Sequence, residues 1–542
     1  MKIFKKALKK FHKSPDYSLG IDFGTTMTRI SYIPNNQHVF TQPKIRPIRS
    51  LILPIMLTDS QKNFDWCVGE DALEHQNYFS KIKLHMGAMQ DLKLDAAEKI
   101  RERIAFRPEI LASRIIWLLL DEARTLEGDL RGVKDVTITV PAEWNFIERE
   151  ATILAAKIAG FDNVNVIEEP IAAFIALSEF YKDKLLRQGK YFLVFDCGGG
   201  TLDITVIERS SENSLPIVIG RSMDKDYVAG EHIDECIGKR IISEKQWQNL
   251  TSASKKRLLV ISRRLKESLN PIEHHLKPSG IVTWPEEEKI GDQFFKPNDL
   301  KLELNTLNEI LEPLNERAIK KIEEALKQAR IEKSSINKIL LVGGSCYLRP
   351  LQKCIEKFFP DKKIGIDILL EEPERAIAFG AAMHQSYLDR GLRRFIPSLA
   401  MDTYLKYQIE KEDNSLDTKS FYLGRAGEPL IPQIAPRFPE VLPLPKHQTS
   451  IHWKVYQERS YTDKIPEEVE QILFEKFEPS IFNRLRLEYK IDYNGNLSLW
   501  KPRLIGKPYH MPKTGSPRKY DWGTKDPLEL AVKYKIRDRQ NS

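Results

Sequence analysis

Two stretches far apart in the chain carry the same unusual order of residues. "LGIDFGTT" over 19–26 and "LVFDCGGGT" over 193–201 each run from an apolar strand into an aspartate, one further residue, glycine and then threonine. Each leads back into a second apolar run, "TRISYI" after the first and "LDITVIE" after the second. The glycines remove Cβ atoms from the turn, so backbone N–H groups can converge on an anion. The threonine hydroxyl can then reach a terminal phosphate. An aspartate at the strand end is repelled by phosphate but can hold the hydration shell of a magnesium ion. Two such hairpins facing each other, with the later "LLVGGS" at 340–345, point to a clamp for a triphosphate.

Between and after these motifs, strands and helices alternate from Ser18 onward. "EILASRIIWLLLDEART" reads as a helix, "VKDVTITVP" as a strand, and "NFIEREATILAAKIAG" as a helix ended by Gly160. "NVNVIEEP" is a short strand and "IAAFIALSEF" a helix. Residues 305–331 are helical, "INKILLVGG" is a strand, and "ERAIAFGAAMHQSYL" is a further helix. Such alternation implies α/β layers around mixed sheets. After about residue 390 proline becomes frequent and alternating strands take over. "SIHWKVYQE" puts Ile451, Trp453 and Val455 on one face. "RLRLEYKIDYNGNLSLW" puts Leu485, Leu487, Tyr489 and Ile491 on one face of a long strand, turns at Asn494-Gly495, and returns through Leu497 and Leu499. A separate β domain over 398–506 follows from this pattern, and a short helix is expected around 526–537.

Charge is distributed unevenly. Residues 1–13 carry six lysines and no acid, and residues 501–542 carry eleven basic against four acidic side chains. Of the net +8, the two tails supply +13 and the other 487 residues carry −5. A folded body of that sign argues against nucleic acid as a partner, because a nucleic-acid groove is built from basic residues of the body. In "MKIFKKALKKFHK" the apolar residues fall at helical spacing with lysines on the other face, so residues 2–13 are either a basic amphipathic helix at an anionic membrane surface or a solvated tail. No apolar run is long enough to cross a bilayer. The five cysteines are scattered, without disulfide or metal-ligand spacing, which suits a cytoplasmic setting.

The motifs together resemble the actin-like ATPase superfamily and, within it, the DnaK-type heat-shock chaperones. "LGIDFGTT" is similar to that family's first phosphate loop, "VFDCGGGTLDITVIE" to its second and "LLVGGSCYLRPLQ" to its adenosine loop. "ITVPAEWNFIEREATILAAKIAGF" and "VIEEPIAAFIAL" are similar to its connecting segments, and "LEYKIDYNGNLSL" to a strand pair of its peptide-binding domain. The resemblance implies an α/β, two-lobed actin-like (ribonuclease H-like) ATPase domain over 17–388, a linker over 389–397 and a small β-sandwich over 398–506. Basic tails at 1–16 and 507–542 flank them.

ATP or ADP with magnesium is the implied cofactor set. Asp22 and Asp196 would hold the magnesium through water. Thr25, Thr26, Gly198, Gly199, Gly200 and Thr201 would bind the β- and γ-phosphates. Gly24, Met27, Gly230, Glu231, Lys266, Gly343, Gly344, Ser345, Tyr347 and Glu374 complete the implied nucleotide site. Lys83, in "IKLHMG", matches the family's lysine that orients the attacking water. Glu169 and Asp203 would join Asp196 around the γ-phosphate, so Lys83, Glu169, Asp196, Thr201 and Asp203 form the catalytic set of a weak ATPase. Such hydrolysis depends on positioning and charge stabilisation. Pro141 and Arg149 match the pair that relays nucleotide state to the second domain.

The chain departs from the family pattern at four places. Where the family's ribose-and-adenine helix carries glutamate, lysine and arginine, "RRLKESLN" carries Arg263, Lys266 and Glu267. Tyr347 stands where a stacking arginine is found, and a tyrosine face can stack on a base for about 1–3 kcal/mol. The linker contains Pro397, which removes a backbone donor from any added strand. The 36 residues after the β domain are too few for a helical lid, so the expectation is a lidless peptide site. Three functions fit these readings. The first is a DnaK-type chaperone with a peptide or protein client and partners such as a co-chaperone or nucleotide-exchange factor. The second is a nucleotide-gated scaffold with little hydrolysis, peripheral at a membrane. A sugar or small-metabolite kinase is the third, disfavoured by the connecting segments and the appended β domain.

Overall fold

The computed structural model describes residues 17–34, 44–56, 64–73, 78–88, 91–94, 104–126, 130, 132–180, 189–209, 215–224, 229–269, 280–370, 372–392, 395, 402–410, 415–424, 442–443, 450–458, 467–475, 484–486, 489–491, 497–499 and 503–505. The expected helices at 2–13 and 526–537, the basic tails, Pro397 and the Asn494-Gly495 turn lie outside these residues.

Two five-stranded sheets repeat one topology. The first is built from β1 (Tyr17–Phe23), β2 (Met27–Pro34), β3 (Lys44–Arg49), β4 (Asp135–Val140) and β5 (Asn163–Glu168), in the order β3-β2-β1-β4-β5. The second uses β6 (Tyr191–Cys197), β7 (Leu202–Glu208), β8 (Ile217–Asp224), β9 (Lys338–Val342) and β10 (Ile368–Leu369), in the order β8-β7-β6-β9-β10. In each, three antiparallel strands form a meander, and the first strand pairs in parallel with a strand reached through a helical connection. The central strands are covered on both faces, which is why "YFLVF" reads as a continuous apolar run rather than an alternating one.

Three cores follow from this plan. One joins the first sheet to α1 (Pro108–Leu126) and α2 (Phe146–Ile158). The capping box of α2 is complete, with Glu148 N donating to Asn145 Oδ1 at 2.9 Å and Asn145 N to Glu148 Oε2 at 2.8 Å. It ends as its sequence predicts, at Gly160 with φ of 114°. A third core lies between the sheets and holds α3 (Glu169–Phe180) and the later helix Ala376–Asp389. These two helices cross so closely that a Cβ at Gly380 would land on the Ala172 carbonyl. The remaining core packs the second sheet against α4 (Gly230–Ile242), α5 (Ser252–Leu269) and α6 (Leu304–Ala329). The helix at Ala376–Asp389 is α7 below.

Beyond α7 the described residues are β strands. β11 (Asp402–Glu410), β12 (Leu416–Gly424), β13 (Ser450–Glu458) and β14 (Glu467–Glu475) form an antiparallel sheet in the order β12-β11-β13-β14. Leu405, Tyr407 and Val455 are buried on it. The long strand expected from Leu485 to Ile491 is divided. Arg484–Arg486 pairs with Leu442–Pro443 and Arg503–Ile505, whereas Tyr489–Ile491 pairs with Leu497–Leu499 as the second half of the expected hairpin. Alternation alone does not record this change of partner. Gln457 on β13 connects the C-terminal sheet to the first half of the molecule: it accepts the Phe146 N–H at 2.9 Å and donates to Thr403 Oγ1 at 3.0 Å.

Candidate functional site

A cavity of about 680 Å³ lies where the turns of the two hairpins meet. Gly24, Thr25, Thr26 and Met27 line it from the first hairpin, Gly198, Gly199, Gly200 and Thr201 from the second. The turns interlock, since a Cβ at Gly199 would strike the Thr26 hydroxyl and one at Gly200 the Thr25 hydroxyl. Gly198 N closes the second turn on Thr201 O at 3.1 Å. The N-terminus of α4 caps that turn, with Gly230 N donating to Gly198 O at 3.0 Å and Glu231 N to Gly199 O at 2.8 Å. Ser345, in the loop after β9, donates to Gly198 O at 2.9 Å. Thr26 Oγ1 reaches across to Glu231 Oε1 at 3.1 Å.

Charged side chains converge on the floor. Lys83, in a short 3-10 turn, is buried and forms an ion pair with Glu169 at the start of α3. Its Nζ also stands 5.9 Å from the Trp144 ring centre. Burial alone would lower the Lys83 pKa, but the carboxylates of Glu169 and Asp22 raise it. Burial pushes Glu169 up to about 7, against the pull of Lys83 and with the repulsion of Asp22 and Asp203. Asp22 is raised by burial, offset by Lys83, Arg29 and a Thr139 hydroxyl at 3.5 Å. Asp196 is raised well above the usual range by burial and by the neighbouring Glu169 and Asp203. Its Oδ2 is buried with no hydrogen-bond partner. Asp203 lies directly opposite Asp196 in the β6–β7 register and is 1% exposed.

A carboxylate with an orphaned oxygen, beside two further acids, fits a hydrated divalent cation at this spot. Among the described residues no three His, Cys, Asp or Glu side chains are grouped to ligate a metal directly.

Gly343, Gly344, Ser345, Tyr347 and Glu374 also line the cavity, as do Lys266 and Glu267 of α5. Tyr347 is half-buried, and burial with nearby Glu374 and Glu372 pushes its phenol up to about 12. Lys266 is held by Asp234 at 2.6 Å and by Gly230 O at 3.1 Å. Arg263 donates to the same Asp234 at 3.0 Å, with Glu231 at 3.9 Å. Beside the cavity, Lys81 pairs with Glu231 at 3.2 Å and Lys256 Nζ donates to Tyr78 O at 2.6 Å.

The cavity thus gathers every residue singled out for nucleotide binding. Of the catalytic set, Lys83, Glu169, Asp196 and Thr201 line it, and Asp203 stands behind Asp196. Pro141 and Arg149 lie outside the cavity. Arg149 is buried; its Nε donates to Trp144 O at 3.1 Å and its Nη2 to Glu168 Oε1 at 3.0 Å. Glu168 also pairs at 3.1 Å with Arg221 on β8, so an Arg–Glu–Arg triad joins the two sheets one residue before Glu169. Sequence reading missed Arg29, Arg49 and Asp234, all of which line the cavity. Arg29 is the cross-strand partner of Asp22 in the first hairpin.

The sequence model of a family described as "Hsp70 protein" matches residues 65–421 of the chain. A curated relative, the chaperone protein DnaK of Mycoplasma mobile, is 29% identical over 382 residues, which cover 68% of this chain and 58% of the relative. The chain therefore spans less than two thirds of that relative's length.

Proposed function

The chain belongs to the Hsp70 family, and on that premise we propose that it is an ATP- and magnesium-dependent chaperone-type protein, in which nucleotide binding and hydrolysis at 17–388 govern the binding of a protein segment by the β domain over 398–506. The observation that carries this reading is the pairing of two glycine-threonine turns over a floor of Lys83, Glu169 and the orphaned Asp196 carboxylate. The N–H groups and hydroxyls of Thr25, Thr26 and Thr201 bind phosphate oxygens, and the glycines let the turns approach them. Asp22 and Asp196 hold a hydrated magnesium ion, which supplies charge neutralisation at the phosphates. Lys83, fixed by Glu169, orients the attacking water, and Glu169 with its pKa near 7 is suited to take up its proton. Tyr347 stacks on the base from the loop after β9.

Coupling to the β domain follows a short physical route in this reading. Gln457 holds the first N–H of α2, Arg149 on α2 holds Glu168, and Glu168 adjoins Glu169 at the catalytic floor. The linker over 389–397, a client peptide and an exchange factor or co-chaperone complete the proposal. The basic segment 2–13 is a candidate membrane contact that an anionic-liposome pull-down of a 2–13 deletion would test. No helix of the described residues is long and apolar enough to cross a membrane.

A nucleotide-gated scaffold without turnover is the second reading. It is favoured by the base end, where Arg263 and Lys266 are engaged by Asp234. Single-turnover hydrolysis of ATP by the wild type and by Thr201→Ala separates the two. The chaperone reading expects hydrolysis about a hundredfold faster in the wild type, the lower range of a lost transition-state contact. Equal rates with ATP bound would leave only the scaffold.

A further inference from the structure

The two hairpins place different side chains opposite their aspartates. In the second, β6 and β7 set Asp203 against Asp196; in the first, β1 and β2 set Arg29 against Asp22. Arg29 therefore occupies, in the first jaw, the position that a carboxylate takes in the second. Its side chain is 13% exposed and lines the cavity, with Nη1 at 3.9 Å from Asp22 Oδ2 and Nη2 donating to Glu374 Oε2 at 3.3 Å. Glu374 is 42% exposed, and an ion pair so open to solvent holds the guanidinium only weakly. Arg29 thus sits between the cation site marked by Asp22 and the base-end loop, which is where the phosphates of a bound nucleotide run.

Charge balance gives the position its meaning. Asp22, Asp196, Asp203 and Glu169 stand against Lys83 and Arg29, so losing Arg29 leaves these four acids with one cation instead of two.

We propose that Arg29 is a nucleotide-binding residue whose guanidinium leaves Glu374 to donate to the phosphate oxygens of a nucleoside di- or triphosphate, supplying part of the compensation otherwise left to magnesium. A guanidinium fork matches phosphate geometry, and its charge is independent of pH. This inference rests on the nucleotide reading of the cavity given above.

The test is equilibrium binding of ADP to the full chain, in excess magnesium and in EDTA, for wild type, Arg29→Met and Arg29→Lys. Arg29→Met is expected to weaken ADP roughly ten- to a hundredfold, the range of one charged hydrogen bond. The loss is larger in EDTA than in magnesium, and Arg29→Lys recovers part of it. Glu374→Gln, which unties the guanidinium and keeps its shape, tightens ADP in EDTA. That variant carries the test if Arg29→Met melts below the assay temperature, and unchanged or weaker binding by it then overturns the proposal. Equal affinity of wild type and Arg29→Met in both buffers also overturns it, leaving Arg29 as a tie between strand and loop. If wild type binds no ADP in either buffer, the nucleotide reading fails and this proposal with it.

Discussion

The two halves of the molecule repeat one sheet order and one hairpin, yet they use the repeat differently. The first jaw offers threonine hydroxyls and an Asp22–Arg29 cross-strand pair; the second offers glycines and an Asp196–Asp203 pair of like charge. One side reaches with side chains, and the other yields space and negative charge. In the proposed function, only together do they make a cleft for both an anion and a cation. The duplicated fold supplies the pseudo-symmetric frame, and a few substitutions on it create the division of labour.

The comparison breaks most severely at the Arg149–Glu168–Arg221 cluster shared by both sheets. Glu168→Gln leaves Arg149 and Arg221 buried without their common carboxylate, and should cost roughly 3–5 kcal/mol of stability in denaturant unfolding. A smaller loss would mean that the halves are joined mainly by the α3–α7 core. Gly200→Ala intrudes on Thr25 and forces the jaws apart. Nucleotide affinity should fall at least tenfold with secondary structure intact by circular dichroism; the same Ala at exposed Gly280, where a Cβ meets nothing, is the control.

Asp196→Asn and Asp22→Asn sharpen the contrast between the jaws. Removing the charge of Asp196 relieves repulsion by Glu169 and Asp203, whereas Asp22 is already compensated by Lys83 and Arg29. Asp196→Asn should therefore raise the melting temperature of the nucleotide-free protein more than Asp22→Asn does. The reverse order would contradict the assignment of charge to the two sides.

The smallest effect is in pH. Glu169 is raised from 4.5 to about 7 in the fold, so between these values the folded protein holds a proton that the unfolded chain has lost. Stability contributed by this group is greatest at low pH and falls as pH rises through that window. Nucleotide-free protein should melt at a lower temperature at pH 7.5 than at pH 5.5, and Glu169→Gln should flatten the dependence.

What the sequence disclosed follows the same division. Both glycine turns were legible because few other needs place Asp, Gly and Thr in that order at a strand end. The helix of Phe146–Ile158 announced its C-terminal end through Gly160, whereas its capping box of Asn145 with Glu148 was not singled out. Lys83 was legible only through its spacing to Gly87 and the family resemblance, since nothing local says that this lysine is buried. Arg29 and the Arg149–Glu168–Arg221 triad were not legible. An arginine on an alternating strand reads as surface, and only the hairpin register and the packing of two sheets bring these charges together. The different partners of Arg484–Arg486 and Tyr489–Ile491 escaped for a related reason, because alternation marks a face but not a partner.

The central claim is that the paired turns clamp a nucleotide. Calorimetric titration of ADP and of ATP with magnesium into the full chain tests it most directly. One site per chain is predicted, with affinity lost in Gly200→Val, whose larger side chain fills the space between the turns. Absence of heat and of any thermal stabilisation by either nucleotide, in a protein that melts cooperatively, would contradict it.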